Sequence, residues 1–189
     1  MRASGIVTLF ARLFALLAAA ALAGCAEFAF LLEGDALDFE LNGRIAVRYR
    51  DEASSGNVAW RHRAGGDEVL LTTPLGQGVA RIVRDGRETT LTTADAKEHR
   101  ASDPEALTEA VLGFRLPLDG LADWVRGRPS IGPAEVERDA SGRVSRITQS
   151  GWVVELLAWG DDGRPSRLRL LYPGIDLRLA IGEWKSVAP

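Results

Sequence analysis

The sequence predicts a mainly β domain of α+β type, in which an antiparallel sheet is interrupted once by two short helices. Three observations predict this fold. Apolar and polar residues alternate through residues 39–50, Asp-Gly and Gly-Gly pairs separate short strand-like segments, and Asp103-Pro104-Glu105 is a helix start. The alternation indicates strands with one buried face, and the tight turns indicate that each strand pairs with the next. We therefore expect a sandwich or an up-and-down barrel of about ten strands.

The first 24 residues are interpreted as an export signal. Arg2 and Arg12 flank a region without acidic residues, and residues 13–23, "LFALLAAAALA", are wholly apolar. This run of about 11 residues is too short for a bilayer span, which needs about 20, and it fits the apolar part of a signal peptide. An uncleaved membrane anchor is the alternative.

The end of this signal predicts lipid attachment. Residues 22–25, Leu-Ala-Gly-Cys, match the lipobox of bacterial lipoproteins, and Cys25 is the only cysteine of the chain. Cleavage between Gly24 and Cys25 would leave a cysteine that carries an S-diacylglycerol group and an N-acyl chain, and three chains make a lasting anchor. The alternative is an ordinary secretory cleavage site with an incidental cysteine. Ala26, where an Asp would favour the inner membrane, implies the outer membrane by analogy with that sorting rule.

The remainder of the chain is predicted to contain one folded domain. Residues 25–38 are interpreted as a lipidated tether and residues 39–189 as the domain, because a chain of 189 residues has room for one sizeable core. In the first strand, residues 39–50, Gly43 is the expected bend. Further strands of the first half are predicted over residues 58–62, 69–73, 79–84 and 88–93.

Two helices are predicted in the middle of the chain. Asp103 would cap the first helix, Pro104 would open it, and Gly113 would end it. Its apolar stripe is predicted to be Ala106, Leu107, Ala110 and Val111. A second helix is predicted over residues 119–126, and strands then resume over residues 134–138, 144–150, 152–159, 166–172 and 175–184. The helices are expected to cover the mouth or the concave face of the sheet.

Composition and charge argue against several classes of function. The net charge of −3 disfavours a nucleic-acid partner, and a single cysteine excludes an intrachain disulfide and a cysteine metal cluster. Both histidines, His62 and His99, are predicted to lie at the surface. No Gly-x-Ser-x-Gly elbow or dinucleotide-binding loop is present. We therefore predict a protein that is not an enzyme and holds no metal, although the residue pattern leaves a hydrolytic pair of carboxylates open.

Five stretches carry a resemblance to a known family. They are "FELNGRIAV" (39–47), "LLTTPLGQGVARI" (70–82), "LGFRLPLDGLADWVRGRP" (112–129), "ITQSGWVVELLAW" (147–159) and "LRLAIGEW" (177–184). In this order they resemble the LolB family of outer-membrane lipoprotein receptors. The resemblance implies an incomplete antiparallel β-barrel of ten or eleven strands, with a short helical lid that encloses an apolar cavity.

The resemblance also implies a function and its partners. The protein would accept lipoproteins from the periplasmic carrier LolA, hold their acyl chains in the cavity, and insert them into the outer membrane without ATP. Its partners would be LolA, the acylated cargo and outer-membrane phospholipid. It would be a monomer, lipid-anchored on the periplasmic face of the outer membrane of a Gram-negative cell, with no cofactor besides the acyl groups on Cys25.

Site residues follow from the resemblance and from the strand pattern. Pro74, Leu75 and Gly76 match a loop whose leucine is implicated in membrane engagement; a buried loop leucine is the alternative. Candidates for the acyl-chain cavity, for which ordinary core packing is equally compatible, are Ile45, Val47, Trp60, Leu121, Trp124, Trp152 and Val154. The family usually has a helix before the first strand. With 13 residues between Cys25 and Phe39, that helix is expected to be shortened or absent.

Two other functions remain open at this point. The chain could be a lipid-anchored binding module for another apolar ligand, which a bound phospholipid or glycolipid without carrier interaction would favour. It could also be a structural envelope lipoprotein, which a filled barrel without a cavity would favour.

Overall fold

The structure, a computed structural model, describes residues 37–185. The predicted signal peptide, Gly24, Cys25 and most of the predicted tether lie outside these residues, as does the segment expected to lack the family's first helix. Within residues 37–185 the elements are β1 (Leu37–Tyr49), β2 (Glu52–Arg63), β3 (Gly66–Thr72), β4 (Gly78–Asp85), β5 (Glu88–Thr93), β6 (Glu98–Ala101), α1 (Pro104–Leu112), α2 (Leu118–Trp124), β7 (Glu135–Arg138), β8 (Val144–Gln149), β9 (Trp152–Trp159), β10 (Pro165–Tyr172) and β11 (Ile175–Lys185).

All eleven strands belong to one antiparallel sheet. Its order is β6-β5-β4-β3-β2-β1-β11-β10-β9-β8-β7, so that each strand pairs with its neighbour in sequence and β1 also pairs with the last strand. The two ends of the sheet, β6 and β7, do not pair, and the sheet is therefore an open, incomplete barrel, as predicted. Neither helix within residues 37–185 has both the length and the hydrophobicity needed to cross a membrane.

β1 shows how the sequence pattern produces the sheet. Phe39, Leu41 and Val47 are buried, whereas the residues between them are partly or fully exposed. The pairing with β11 shifts register between Asn42 and Gly43, which confirms the predicted bend. A Cβ atom on Gly43 would lie 2.5 Å from the backbone oxygen of Ala180, so the close approach of the two strands requires glycine here.

Some element predictions were wrong. β6 was not predicted, because its sequence Glu-His-Arg-Ala has no apolar alternation and it is held by backbone pairing with β5. β2 begins at Glu52, well before the expected residue 58, since its polar first half forms an exposed ladder with β1. In α1 the predicted cap holds, with Asp103 Oδ1 accepting from the backbone of the first turn at 2.9 and 3.0 Å. The predicted apolar stripe of α1 is confirmed only in part, since Ala106 and Ala110 are exposed and Thr108 is buried.

One hydrophobic core lies between the sheet and the helices. We call the face of the sheet that packs on α2 the inner face, and the opposite one the outer face. Leu118 and Leu121 of α2 are buried in the same core cluster as inner-face residues of the central strands. Three of the largest fully buried side chains are tryptophans, Trp60, Trp124 and Trp152. The predicted position of the helices over one face of the sheet is confirmed.

Candidate lipid-handling site

A small apolar cavity lies between α2 and the inner face of the sheet. Its volume is about 20 Å³, which is about the space of one water molecule, and its lining consists of Leu, Ile, Val and Trp side chains only. Leu118 and Leu121 cover it from the helix side. The space between α2 and the sheet is therefore apolar and nearly filled.

Three of the seven candidate cavity residues line this space, namely Ile45, Trp60 and Leu121. The other four belong to the same core but do not line it; they are Val47, Trp124, Trp152 and Val154. Sequence reasoning missed further lining residues, which are Leu41, Val58, Val69, Leu71, Leu116, Leu118, Leu177 and Leu179. Their alternation along β3 and β11 was a usable signal. Contact with acyl chains stays a prediction for the whole set.

Few polar contacts tie α2 to the sheet. Trp124 Nε1 donates to Gln149 Oε1 at 2.9 Å, and the Asp119 carboxylate receives Arg84 Nη1 at 3.1 Å. The helix has seven residues, and Pro117 at its N-terminus makes no side-chain capping bond. A short helix of this kind is stable through its tertiary packing, so its position depends on the apolar contact with the sheet.

A buried polar cluster lies beside this core. Asp67 Oδ1 accepts from Trp60 Nε1 at 2.9 Å and pairs with His62 Nδ1 at 2.6 Å. Asp67 Oδ2 accepts from Arg84 Nε at 2.7 Å and also from Arg84 Nη2. Burial acts to raise the pKa of Asp67, but the hydrogen bond from His62 and the charge of Arg84 outweigh it and hold the pKa below its usual value. Arg84 thus links this cluster to Asp119 on α2.

The cluster corrects one sequence prediction. His62 is buried, not at the surface, because it lies on the inner face of β2 opposite Asp67 of β3. Asp67, the hydrogen-bonding partner of His62, lies on the neighbouring strand β3. The residues around His62 in the sequence did not indicate this partner. His99 is exposed on β6, as predicted.

The loop after β3 presents an apolar side chain to solvent. Leu75 is 91% exposed, between Pro74 and Gly76. Backbone bonds from Thr73 to Gln77 (2.8 Å) and from Gly76 to Thr73 (2.9 Å) close the turn, and Gly76 has a left-handed φ of 87°. A turn closed this tightly cannot fold Leu75 back onto the core. The buried-leucine alternative is wrong, whereas membrane contact by Leu75 stays a prediction.

The fold and the site together define a class of protein, namely open antiparallel sheets whose apolar inner face is covered by a short helix. Such a protein can hold an apolar group only where the helix moves aside, because the space under it is nearly filled. Within residues 37–185 no group of three or more His, Cys, Asp or Glu side chains could hold a metal ion.

Comparison with known proteins identifies the family. The family model "Outer membrane lipoprotein LolB" matches residues 37–184. Outer-membrane lipoproteins LolB from Thiobacillus denitrificans and Ralstonia nicotianae are 43% and 38% identical, covering 77% and 85% of this chain and 79% and 82% of theirs. The crystal structure of a LolA superfamily protein from Nitrosomonas europaea superposes with a TM-score of 0.48 and 13% identity, over 84% of this chain and 89% of that one. The chain belongs to the LolB family.

Family membership confirms the coarser functional predictions. The protein is an outer-membrane lipoprotein receptor of the lipoprotein localisation system, and it is not an enzyme.

Proposed function

We propose that this protein accepts lipoproteins from the carrier LolA, shelters their acyl chains between the sheet and α2, and inserts them into the outer membrane. The observation that carries the proposal is the wholly apolar lining of the cavity under α2 in a chain of the LolB family. Such an interior stabilises an acyl chain by about 0.8 kcal/mol for each methylene group that leaves water.

Acceptance requires the interior to open. A cavity of about 20 Å³ has no room for an acyl chain, so the chain takes the place of Leu118 and Leu121 against the inner face. The few polar ties of α2 make this helix the element that moves. The nearly filled interior by itself favours the second candidate, a structural envelope lipoprotein. Membership of a receptor family and the weak polar attachment of α2 favour a receptor.

The anchor and the release step complete the proposal. Residues 1–24 are removed, Cys25 carries the S-diacylglycerol and N-acyl groups, and the protein stands as a monomer on the periplasmic face of the outer membrane. Leu75 enters the bilayer at the point of release. No ATP is required, because cargo moves toward the site where its acyl chains are best buried, and differential affinity sets the direction.

A transfer assay tests this function. LolA loaded with a lipoprotein is mixed with the chain from residue 25 onward carrying Cys25→Ser, which contains the whole described sheet and core. We expect cargo to move onto this chain and, when vesicles are added, into the vesicles; vesicles without the chain are the control. Cargo that stays on LolA would refute the proposal. A phospholipid in the purified protein together with no transfer would instead support a binding module for another ligand.

A further inference from the structure

A second groove lies on the outer face of the sheet, and Ile45 and Leu179 line both this groove and the cavity under α2. The volume of the groove is about 550 Å³, within the range of small-ligand sites. It follows one row of residues across neighbouring strands, since Arg167 on β10 pairs with Ala180 on β11, Ala180 pairs with Arg44 on β1, and Arg44 pairs with Asn57 on β2. The groove exists because residues in its floor are small, namely Ala46, Ser55, Gly56 and Ala180.

The groove is cationic, although the protein as a whole is acidic. Arg44, Arg167 and Arg178 line it, and its lining contains no Asp or Glu. Among residues 37–185 no carboxylate lies within 4.0 Å of the guanidinium of Arg44 or Arg167, whereas Arg178 pairs with Asp176 at 3.3 Å. Two arginines are thus available for an external anion, and the planar guanidinium matches the geometry of a phosphate.

Apolar side chains lie at both ends of this cationic row. Leu157, 58% exposed, lies at the β9 end, and Pro74 lies at the other end, next to the exposed Leu75. A surface that offers negative phosphates together with apolar chains fits this arrangement, and a bilayer with anionic phospholipid is such a surface. An acidic protein surface would form ion pairs with the arginines but would not provide an apolar environment for Leu75.

We propose that this groove binds the phosphate headgroup of an anionic phospholipid while Leu75 enters the apolar layer of the same membrane. The inference rests on the proposed function, because release of cargo requires close contact with the bilayer. It adds a headgroup site on the outer face of β9, β10, β11, β1 and β2, the side of the sheet opposite to the one that would hold acyl chains. The arginines then orient the protein on the membrane, and the Leu75 loop inserts beside them.

Vesicle binding tests the headgroup site. The chain from residue 25 with Cys25→Ser is mixed with phosphatidylcholine vesicles that contain or lack phosphatidylglycerol, and bound protein is measured by co-sedimentation. Each basic residue at an anionic surface contributes about fivefold in affinity, so Arg44→Gln with Arg167→Gln is expected to weaken binding to the phosphatidylglycerol vesicles about thirtyfold. Binding to pure phosphatidylcholine should not change, and added salt should weaken only the wild type's extra affinity.

A matched control separates the groove from net charge. Arg87→Gln with Arg138→Gln removes the same charge from the β4–β5 turn and the end of β7, both exposed and outside the groove. This control is expected to bind the vesicles within about twofold of wild type, because both sites are remote from the groove. The proposal would be overturned if the groove variant and the control bound the phosphatidylglycerol vesicles with the same affinity, whether both matched the wild type or both bound more weakly.

Cargo acceptance from LolA distinguishes failure of this inference from failure of the proposed function. The groove variant is expected to accept cargo like the wild type, since Arg44 and Arg167 lie on the outer face. Lost acceptance with normal vesicle binding would make the groove a docking face for the carrier and would overturn the lipid assignment. If the wild type itself accepts no cargo but the groove variant still loses vesicle binding, the headgroup site stands and the receptor function fails.

Discussion

Replacing Asp67 by asparagine is expected to destabilise the fold by about 3 kcal/mol. The Asp67 side chain is fully buried and accepts hydrogen bonds from neighbours on β2 and β4. Asparagine keeps one acceptor oxygen but places an NH₂ group against the donors of Arg84. Breaking a buried ion pair on one side typically costs about 3–5 kcal/mol. We expect the lower end, because Arg84 is partly exposed and keeps Asp119 at 3.1 Å.

Urea unfolding followed by tryptophan fluorescence measures this loss. With a slope of about 1–3 kcal/mol per M urea, a loss of about 3 kcal/mol lowers the midpoint by about 1 M or more. Glu137→Gln is the control, because its ion pair with Arg146 is exposed at 3.6 Å and should contribute less than about 1 kcal/mol. A midpoint for Asp67→Asn that moves no further than that of Glu137→Gln would refute the reasoning.

The same substitution has a signature in pH. The pKa of Asp67 is lowered in the folded state, where His62 and Arg84 outweigh the effect of burial, relative to about 3.9 in the unfolded chain. A lowered carboxyl pKa contributes stability that is fully present above the unfolded pKa and is lost as pH falls through the folded one. The difference in unfolding free energy between wild type and Asp67→Asn should therefore narrow below about pH 4. A difference that stays constant down to about pH 3 would contradict this account.

Three further substitutions test the loop, the helix and the strand contact. Leu75→Glu should leave the urea midpoint and cargo acceptance from LolA nearly unchanged, since the Leu75 side chain is 91% exposed. The same substitution should impair the insertion of cargo into vesicles. An unfolded variant would mean that Leu75 supports the fold. Leu121→Ala should lower the unfolding free energy by about 2–3 kcal/mol. This is the low end for buried leucines, because α2 can move toward the sheet and reduce the cavity that the substitution leaves. An unchanged urea midpoint would show that Leu121 does not pack on the sheet. Gly43→Ala should lower the unfolding free energy by about 1–3 kcal/mol, because the new Cβ would lie 2.5 Å from the Ala180 backbone oxygen. An unchanged midpoint of thermal unfolding would show that β1 and β11 can move apart here without a loss of stability.

Several parts of the fold were predictable because their signals are local. The alternation in β1, the Asp85-Gly86 turn between β4 and β5, and the Asp103 cap of α1 each act within a few residues of the chain. An alternating apolar face or a capping residue favours the same local structure, whichever part of the fold the element packs against. For this reason the antiparallel meander and both helices were predicted at nearly their observed positions.

The interior was predictable only in part. Strand alternation identified Ile45 and Trp60 as inward-facing residues, and the helical stripe identified Leu121. It could not separate a lining residue from an ordinary core residue such as Val154, since both are apolar and buried. That difference depends on which side chains the opposite element leaves uncovered.

The sequence by itself determined the class of fold, the lipid-attachment prediction at Cys25 and the position of Leu75 in a Pro-Leu-Gly loop, while it left the exposure of Leu75 open. Tertiary structure alone decided the burial of His62, the existence of β6, and the arginine groove across the outer face. Each of these depends on strand register, which joins residues as distant as Arg44 and Ala180. Register arises from the pairing of whole strands, and no short stretch of the chain carries it.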